Sequence, residues 1–266
     1  MRRILGSVAV AAGGGLALLF LLGPLAVIVA LSFTATEFLR FPPTSFSLRW
    51  YAAFFGDWTY VEAFKVSLLL AAGSALGAIV FGVPAALGLA RGRFPGRNTL
   101  GLFFTSPLIL PQVVIGAAML ASLSVVGVVQ TWAGLITAHI VIVLPYVIRT
   151  VAATLAGFDR SVEEAAQDLG ASPLVTFFTV TLPLIKQGVI AGGLFAFVIS
   201  WINVEVSMFL TSARLLTIPV KLFNYIQYNV DPLIAAVSAA TIYMALVIVI
   251  LIDVTVGLER LAVPRG

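Results

Sequence analysis

The sequence predicts an all-α, polytopic membrane protein with six transmembrane helices, and three observations predict it. Of 266 residues, 61% are hydrophobic and only 10% are charged, more apolar surface than a water-soluble fold of this length can hide. The apolar residues fall in blocks of roughly 20, the length that crosses a bilayer as a helix. The 15 lysines and arginines flank those blocks and do not gather on one face, which is a topology signal and not a phosphate-binding surface. Membrane lipid is therefore an expected contact and nucleic acid is not. The chain has no cysteine, which excludes disulfides and thiolate metal ligands.

Arg2 and Arg3 precede an apolar block over 8–33. A signal peptide has a shorter apolar core and a small-residue cleavage site, so this block reads as an uncleaved first span that starts in the cytoplasm, with Pro24 as a kink. The connector 34–65 is polar and aromatic, broken by Phe41-Pro42-Pro43. Its Trp50, Tyr51, Trp58 and Tyr60 suit the headgroup region, and contact with an external protein is the competing reading. The second span, 66–90, carries Gly73 and Gly77, then Gly88 and Gly92, spacings that let helix backbones approach closely. Arg91, Arg93 and Arg97 place the next loop in the cytoplasm.

The third span, 100–124, holds Pro107, Pro111 and Gln112. The carbonyls such prolines free are tolerated where they face protein or a water-filled path. An uncharged turn over 127–131 leads to the fourth span, 132–148, which contains His139 and Pro145 and ends at Arg149. The fifth span, 188–210, contains Trp201, Asn203 and Glu205. An external segment over 211–232 precedes the sixth span, 233–253. In this arrangement ten basic residues (Arg2, Arg3, Arg91, Arg93, Arg97, Arg149, Arg160, Lys186, Arg260, Arg265) lie inside and five (Arg40, Arg49, Lys65, Arg214, Lys221) outside. That bias puts both termini in the cytoplasm.

Between the fourth and fifth spans lies an acidic loop. Ser161 is placed to cap a helix while Glu164 reaches back to its amide. Gly170 suits a left-handed stop, and Ser172-Pro173 restarts the chain with a cap and a first-turn proline. Val162, Ala165, Ala166 and Leu169 share one side of the first helix, leaving Glu163, Gln167 and Asp168 on the other. A helix lying on lipid needs a basic polar face, whereas here Glu163, Glu164 and Asp168 outnumber Arg160. Two short helices joined at a glycine thus read as a docking device for a protein.

Glu164-Ala165-Ala166, three residues, Gly170, nine residues, Val180, one residue, then Leu182-Pro183 resembles the EAA motif of binding-protein-dependent ABC importer permeases, with valine in place of isoleucine. The resemblance implies a type I ABC importer permease fold in one domain over 1–266, with a cytoplasmic two-helix coupling loop at 159–183. It implies that Glu163, Glu164, Ala165, Ala166, Asp168, Gly170, Leu182 and Pro183 couple the chain to ATPase subunits. The implied partners are a second homologous permease subunit, two ATPase subunits and a periplasmic or extracellular solute-binding protein, in a bacterial inner membrane. ATP and Mg would sit on the partner subunits, with no cofactor in this chain. The run Phe46-Ser47-Leu48-Arg49-Trp50-Tyr51 and the stretch from Asn229 to Ala236 look like the second permease subunit of spermidine/putrescine-type transporters, which implies a polyamine solute. Those relatives often carry paired acids near Ile202-Asn203. Here Glu205 stands further on, so ferric iron, phosphonate or another organic solute stays open.

Enzyme chemistry finds no support. The segment 92–98 lacks the G-K-[ST] ending of a phosphate loop, one histidine makes no zinc site, and no G-x-S-x-G occurs. Strongly polar groups inside spans are costly and face the bundle interior, which makes Gln112, His139, Trp201, Asn203 and Glu205 the candidates for a translocation path. His139 and Glu205 both lie about 9–12 Å from the external surface at ~1.5 Å per residue and are able to meet. A His–Glu hydrogen bond locking the bundle and a carboxylate lining the path are the two readings. An ion-coupled secondary transporter would show duplicated halves with interrupted spans, and none is visible. A membrane scaffold would not need the acidic loop.

Overall fold

Helices account for the regular structure of the described residues, apart from two isolated bridges, Thr34 with Phe46 and Ser212 with Leu215. The structure is a computed structural model that describes residues 2–256, with side chains placed for 13–251 and Val254. The arginines expected at the cytoplasmic ends, Arg2, Arg3, Arg260 and Arg265, have side chains outside that described set. In chain order the helices are α1 (Arg2–Ser32), α2 (Arg49–Gly56), α3 (Trp58–Arg91), α4 (Arg97–Thr105), α5 (Gln112–Val126), α6 (Trp132–Ala156), α7 (Ser161–Asp168), α8 (Pro173–Thr176), α9 (Leu182–Ile202), α10 (Ser207–Leu210), α11 (Ile218–Ile226) and α12 (Leu233–Val256).

Five stretches are long and apolar enough to cross a membrane: Gly13–Ser32, Trp58–Arg91, Trp132–Ala156, Pro173–Ile202 and Leu233–Leu251. Among the described residues a bent pair, Arg97–Leu108 with Gln112–Val126, turned by 107°, makes a sixth where the pair is counted as one span. The third span is therefore not the straight helix expected over 100–124. Pro107 tightens the chain into a short 3₁₀ turn, Ser106–Leu108, and Pro111, which has no N–H to continue the ladder, precedes α5.

Other boundaries shift for local reasons. α3 starts at Trp58, inside the expected connector, and α6 runs past Arg149 to Ala156 because no breaker intervenes before Gly157. The fifth span begins at Pro173 and ends at Ile202. It does not run from 188 to 210, since Asn203 leaves the helix with φ −71 and ψ 122.

Residues through Glu62 pack with Leu222–Ile248 as one compact unit, and Ala63–Lys221 form the main part of a second. In the first unit, Phe33 accepts a hydrogen bond from the Ser47 N–H, and the Ser32 and Tyr51 hydroxyls lie 2.7 Å apart. Trp50 Nε1 donates to the Thr36 carbonyl at 3.2 Å. Tyr60 is buried, 4% exposed, against Phe54 and Tyr225. Of the four aromatics expected at the headgroups, Trp58 is the one fully open, at 74%.

In the second unit α6 is central, with Leu135, Ala138, Val143, Val147 and Val151 fully buried. Helices in lipid gain little from the hydrophobic effect and associate by close van der Waals contact. α9 accordingly meets α6 through Gly188 and Gly192. A Cβ at Gly188 would stand 2.8 Å from the Thr150 carbonyl oxygen, and one at Gly192 would stand 2.8 Å from Val147 Cα. α3 meets α6 through a side chain, where a Cβ at Gly77 would fall 2.4 Å from Ile140 Cδ1. Gly88, read from its spacing as a contact, has open space around it.

Candidate functional site

The acidic loop is built from a short helix with defined ends. At its start the Asp159 carboxylate accepts the Ser161 N–H at 3.0 Å, and the Ser161 amide and hydroxyl hold that carboxyl below the usual carboxylate range. This corrects the expected capping box. Arg160 stands at the cap position with no side-chain cap bond, Ser161 is the first helical residue with its N–H held by Asp159, and Glu164 pairs with Arg160 at 3.2 Å on an exposed face.

At its end Gly170 takes φ +91. The Gly170 N–H donates to Gln167 and the Ala171 N–H to Ala166, the paired bonds of a left-handed helix stop. Ser172 then caps the next helix by accepting the Val175 N–H at 3.3 Å, with Pro173 at the first position. That helix is not a separate short one. α8 passes through a π turn, Phe177–Thr181, directly into α9, so the loop feeds one long rod.

The face of α7 is turned the other way from the expected one. Glu163 is buried, 5% exposed, while Val162 is 48% and Leu169 90% exposed. The Glu163 carboxylate takes hydrogen bonds from the Arg91 guanidinium and the Thr181 hydroxyl, which satisfies an otherwise costly buried charge. Arg91 also lies 5.7 Å over the Phe158 ring. Glu164, Ala165, Asp168, Gly170 and Pro183 are exposed, and Ala166 and Leu182 are half-buried. Leu174, Val175 and Phe178 add to the open apolar surface. The loop thus presents a contiguous sequence segment rich in uncovered apolar side chains.

The five path candidates do not all come together. His139 is fully buried, with Nδ1 2.8 Å from Ser200 Oγ and Nε2 3.0 Å from Ser207 Oγ. Because the Ser207 hydroxyl donates to the Asn203 carbonyl, Nε2 carries the proton and Nδ1 accepts from Ser200. The neutral ring is thereby satisfied on both sides. The expected His139–Glu205 hydrogen bond is not formed: Glu205 lies in an exposed turn beyond the end of α9.

Asn203 and Gln112 do meet, with the Asn203 amide donating to Gln112 Oε1. The Asn203 carbonyl oxygen of the side chain accepts the Val206 and Ser207 N–H groups at 3.0 and 3.3 Å, capping α10. This joins the bend of the third span to the end of the fifth. Asn203→Ala removes both roles and is expected to lower stability by about 1–2 kcal/mol, read as a drop in the thermal midpoint of the purified chain. Trp201 stands apart from this cluster, buried between Phe64 and Phe197. The sequence signal missed for Asn203 was its position before Val206-Ser207, the place of a helix cap.

A family model described as binding-protein-dependent transport system inner membrane component matches residues 78–261. The chain is 34% identical over 226 residues to the putrescine transport system permease protein PotI of Escherichia coli K12, covering 82% of this chain and 80% of that one. It is 30% identical over 227 residues to the spermidine/putrescine transport system permease protein PotC of the same strain, covering 85% and 86%. Its fold is similar to a chain in the crystal structure of a bacterial ABC transporter that imports the acidic polysaccharide alginate, with TM-score 0.70, 19% identity and 96% coverage of both chains.

Proposed function

Since the chain belongs to the family of binding-protein-dependent transport system inner membrane components, we propose that it forms half of the translocation path of an ATP-driven importer for polyamines of the putrescine and spermidine kind. The observation that carries this reading is the loop at 159–183: an EAA-like sequence on a two-helix element with its apolar side chains uncovered. The relatives named for putrescine and spermidine support the solute class.

In this reading the chain is a single permease domain with both termini in the cytoplasm. It pairs with a second permease subunit and is fed by a solute-binding protein outside. Two ATPase subunits bind α7 and hydrolyse ATP with Mg, and this chain is non-catalytic. α7 is joined to α6 on one side and through α8 to α9 on the other, and α6 and α9 are packed backbone against backbone. A push on α7 therefore tilts that pair as one body, and alternating access follows from rocking of the pair.

Co-expression with the ATPase and second permease subunits, followed by ATP-dependent uptake of labelled putrescine into proteoliposomes, tests the proposal. Failure of any ATPase to co-purify ends the importer reading. A bound ATPase without polyamine uptake moves the solute to ferric iron, phosphonate or another organic compound, the alternative left by the missing acid pair. Glu205→Gln is expected to lower polyamine uptake several-fold with assembly intact, because an exposed carboxylate at the end of α9 offers a cation an acceptor. Unchanged uptake would remove Glu205 from the path.

A further inference from the structure

A buried carboxylate in α7 runs against that helix's own pattern. At about 100° per residue, Val162, Ala165, Ala166 and Leu169 share a stripe centred roughly 110° around the axis from Glu163. By apolar preference alone, α7 would roll to bury Val162 and Leu169 and leave Glu163 in water. The structure shows the opposite roll. Three elements outside α7 hold it there: the last residue of α3 (Arg91), the last residue of the π turn (Thr181), and Phe158 beneath the guanidinium.

A buried ion pair adds little net stability relative to an apolar replacement. What it supplies is orientation, since a carboxylate has few places to go once its only partners are fixed. Arg91 also brings in α3, which has no direct chain connection to α7.

We propose that Arg91, Glu163 and Thr181 form an orientation lock: they set the roll of α7, turn its apolar stripe toward the motor subunit, and bind the end of α3 to the element that is pushed. Glu163 and Arg91 are positioning residues and act through the face they expose. The part that names a motor subunit rests on the importer reading above, whereas the roll itself does not.

The absence of native cysteine gives a direct test. Leu169→Cys is introduced into the full chain, and its reaction with a membrane-impermeant maleimide is timed in inverted vesicles lacking the ATPase subunits. Labelling is expected to be fast in the otherwise native chain. It should slow at least several-fold when Glu163→Gln or Arg91→Gln is added, and recover in the exchange Arg91→Glu with Glu163→Arg. In the reconstituted complex the same single variants should raise ATP hydrolysed per solute imported several-fold.

Unchanged labelling in Glu163→Gln overturns the lock, and so does slowing that the exchange does not reverse. If Glu163→Gln does not accumulate, Thr181→Val, which keeps the volume and removes one arm, is read by the same labelling criterion. A native complex that hydrolyses ATP but imports nothing defeats the importer reading, while the labelling rates still decide the lock.

Discussion

Gly192→Leu is expected to prevent the folded chain from accumulating in the membrane. α9 rests on α6 at this point with no room for a side chain: even a Cβ would lie 2.8 Å from Val147 Cα and 2.4 Å from Thr150 Oγ1. The first of these is backbone and cannot step aside by changing rotamer. Overpacking of an interior contact costs about 1–3 kcal/mol per inserted group even where neighbours can move, and here the two helices must separate. Gly192→Ala should lower the thermal midpoint and Gly192→Leu should leave little monodisperse protein by size-exclusion chromatography. Gly88→Leu, whose Cβ would enter open space, is the control and should behave as the native chain. Normal yield and melting of Gly192→Leu would refute the backbone contact between α6 and α9.

Gly170→Arg is expected to cut solute uptake at least tenfold while ATP hydrolysis by the assembled complex continues. No atom crowds this position, so the effect is conformational. With φ at +91 a residue bearing a Cβ is disfavoured by about 1–2 kcal/mol, and the paired bonds from Gly170 and Ala171 into α7 loosen to relieve it. The short helix then loses its fixed angle to Pro173. Gly170→Asn should be intermediate, because asparagine visits the left-handed region more readily than arginine. The ratio of ATP hydrolysed to solute imported in proteoliposomes is the measurement, and a native ratio in Gly170→Arg would refute the role of the stop.

Five of the spans, the position of the loop and its glycine stop were legible in the sequence, because each depends on residues close together: apolar run length, the Gly170 dihedral, the Ser172-Pro173 cap. What was not legible depended on distant partners. Glu163 was assigned to the outer face by the rule that apolar side chains point in. That rule fails here because Arg91, 72 positions away, and Thr181, 18 away, supply the partners.

Pro107 and Pro111 were visible, but their result was not. The bend they allow is fixed by the 203–210 segment, which packs so closely on α5 that a Cβ at Gly116 would meet the Glu205 carbonyl at 2.9 Å. Asn203 read as an intramembrane polar group because the fifth span was drawn too long. The structure places it where one helix ends and the next begins.

The π turn at Phe177–Thr181 gives the rod entering the membrane one surplus residue of winding. Letting the extra residue out would swing everything ahead of it by about 100° about the axis.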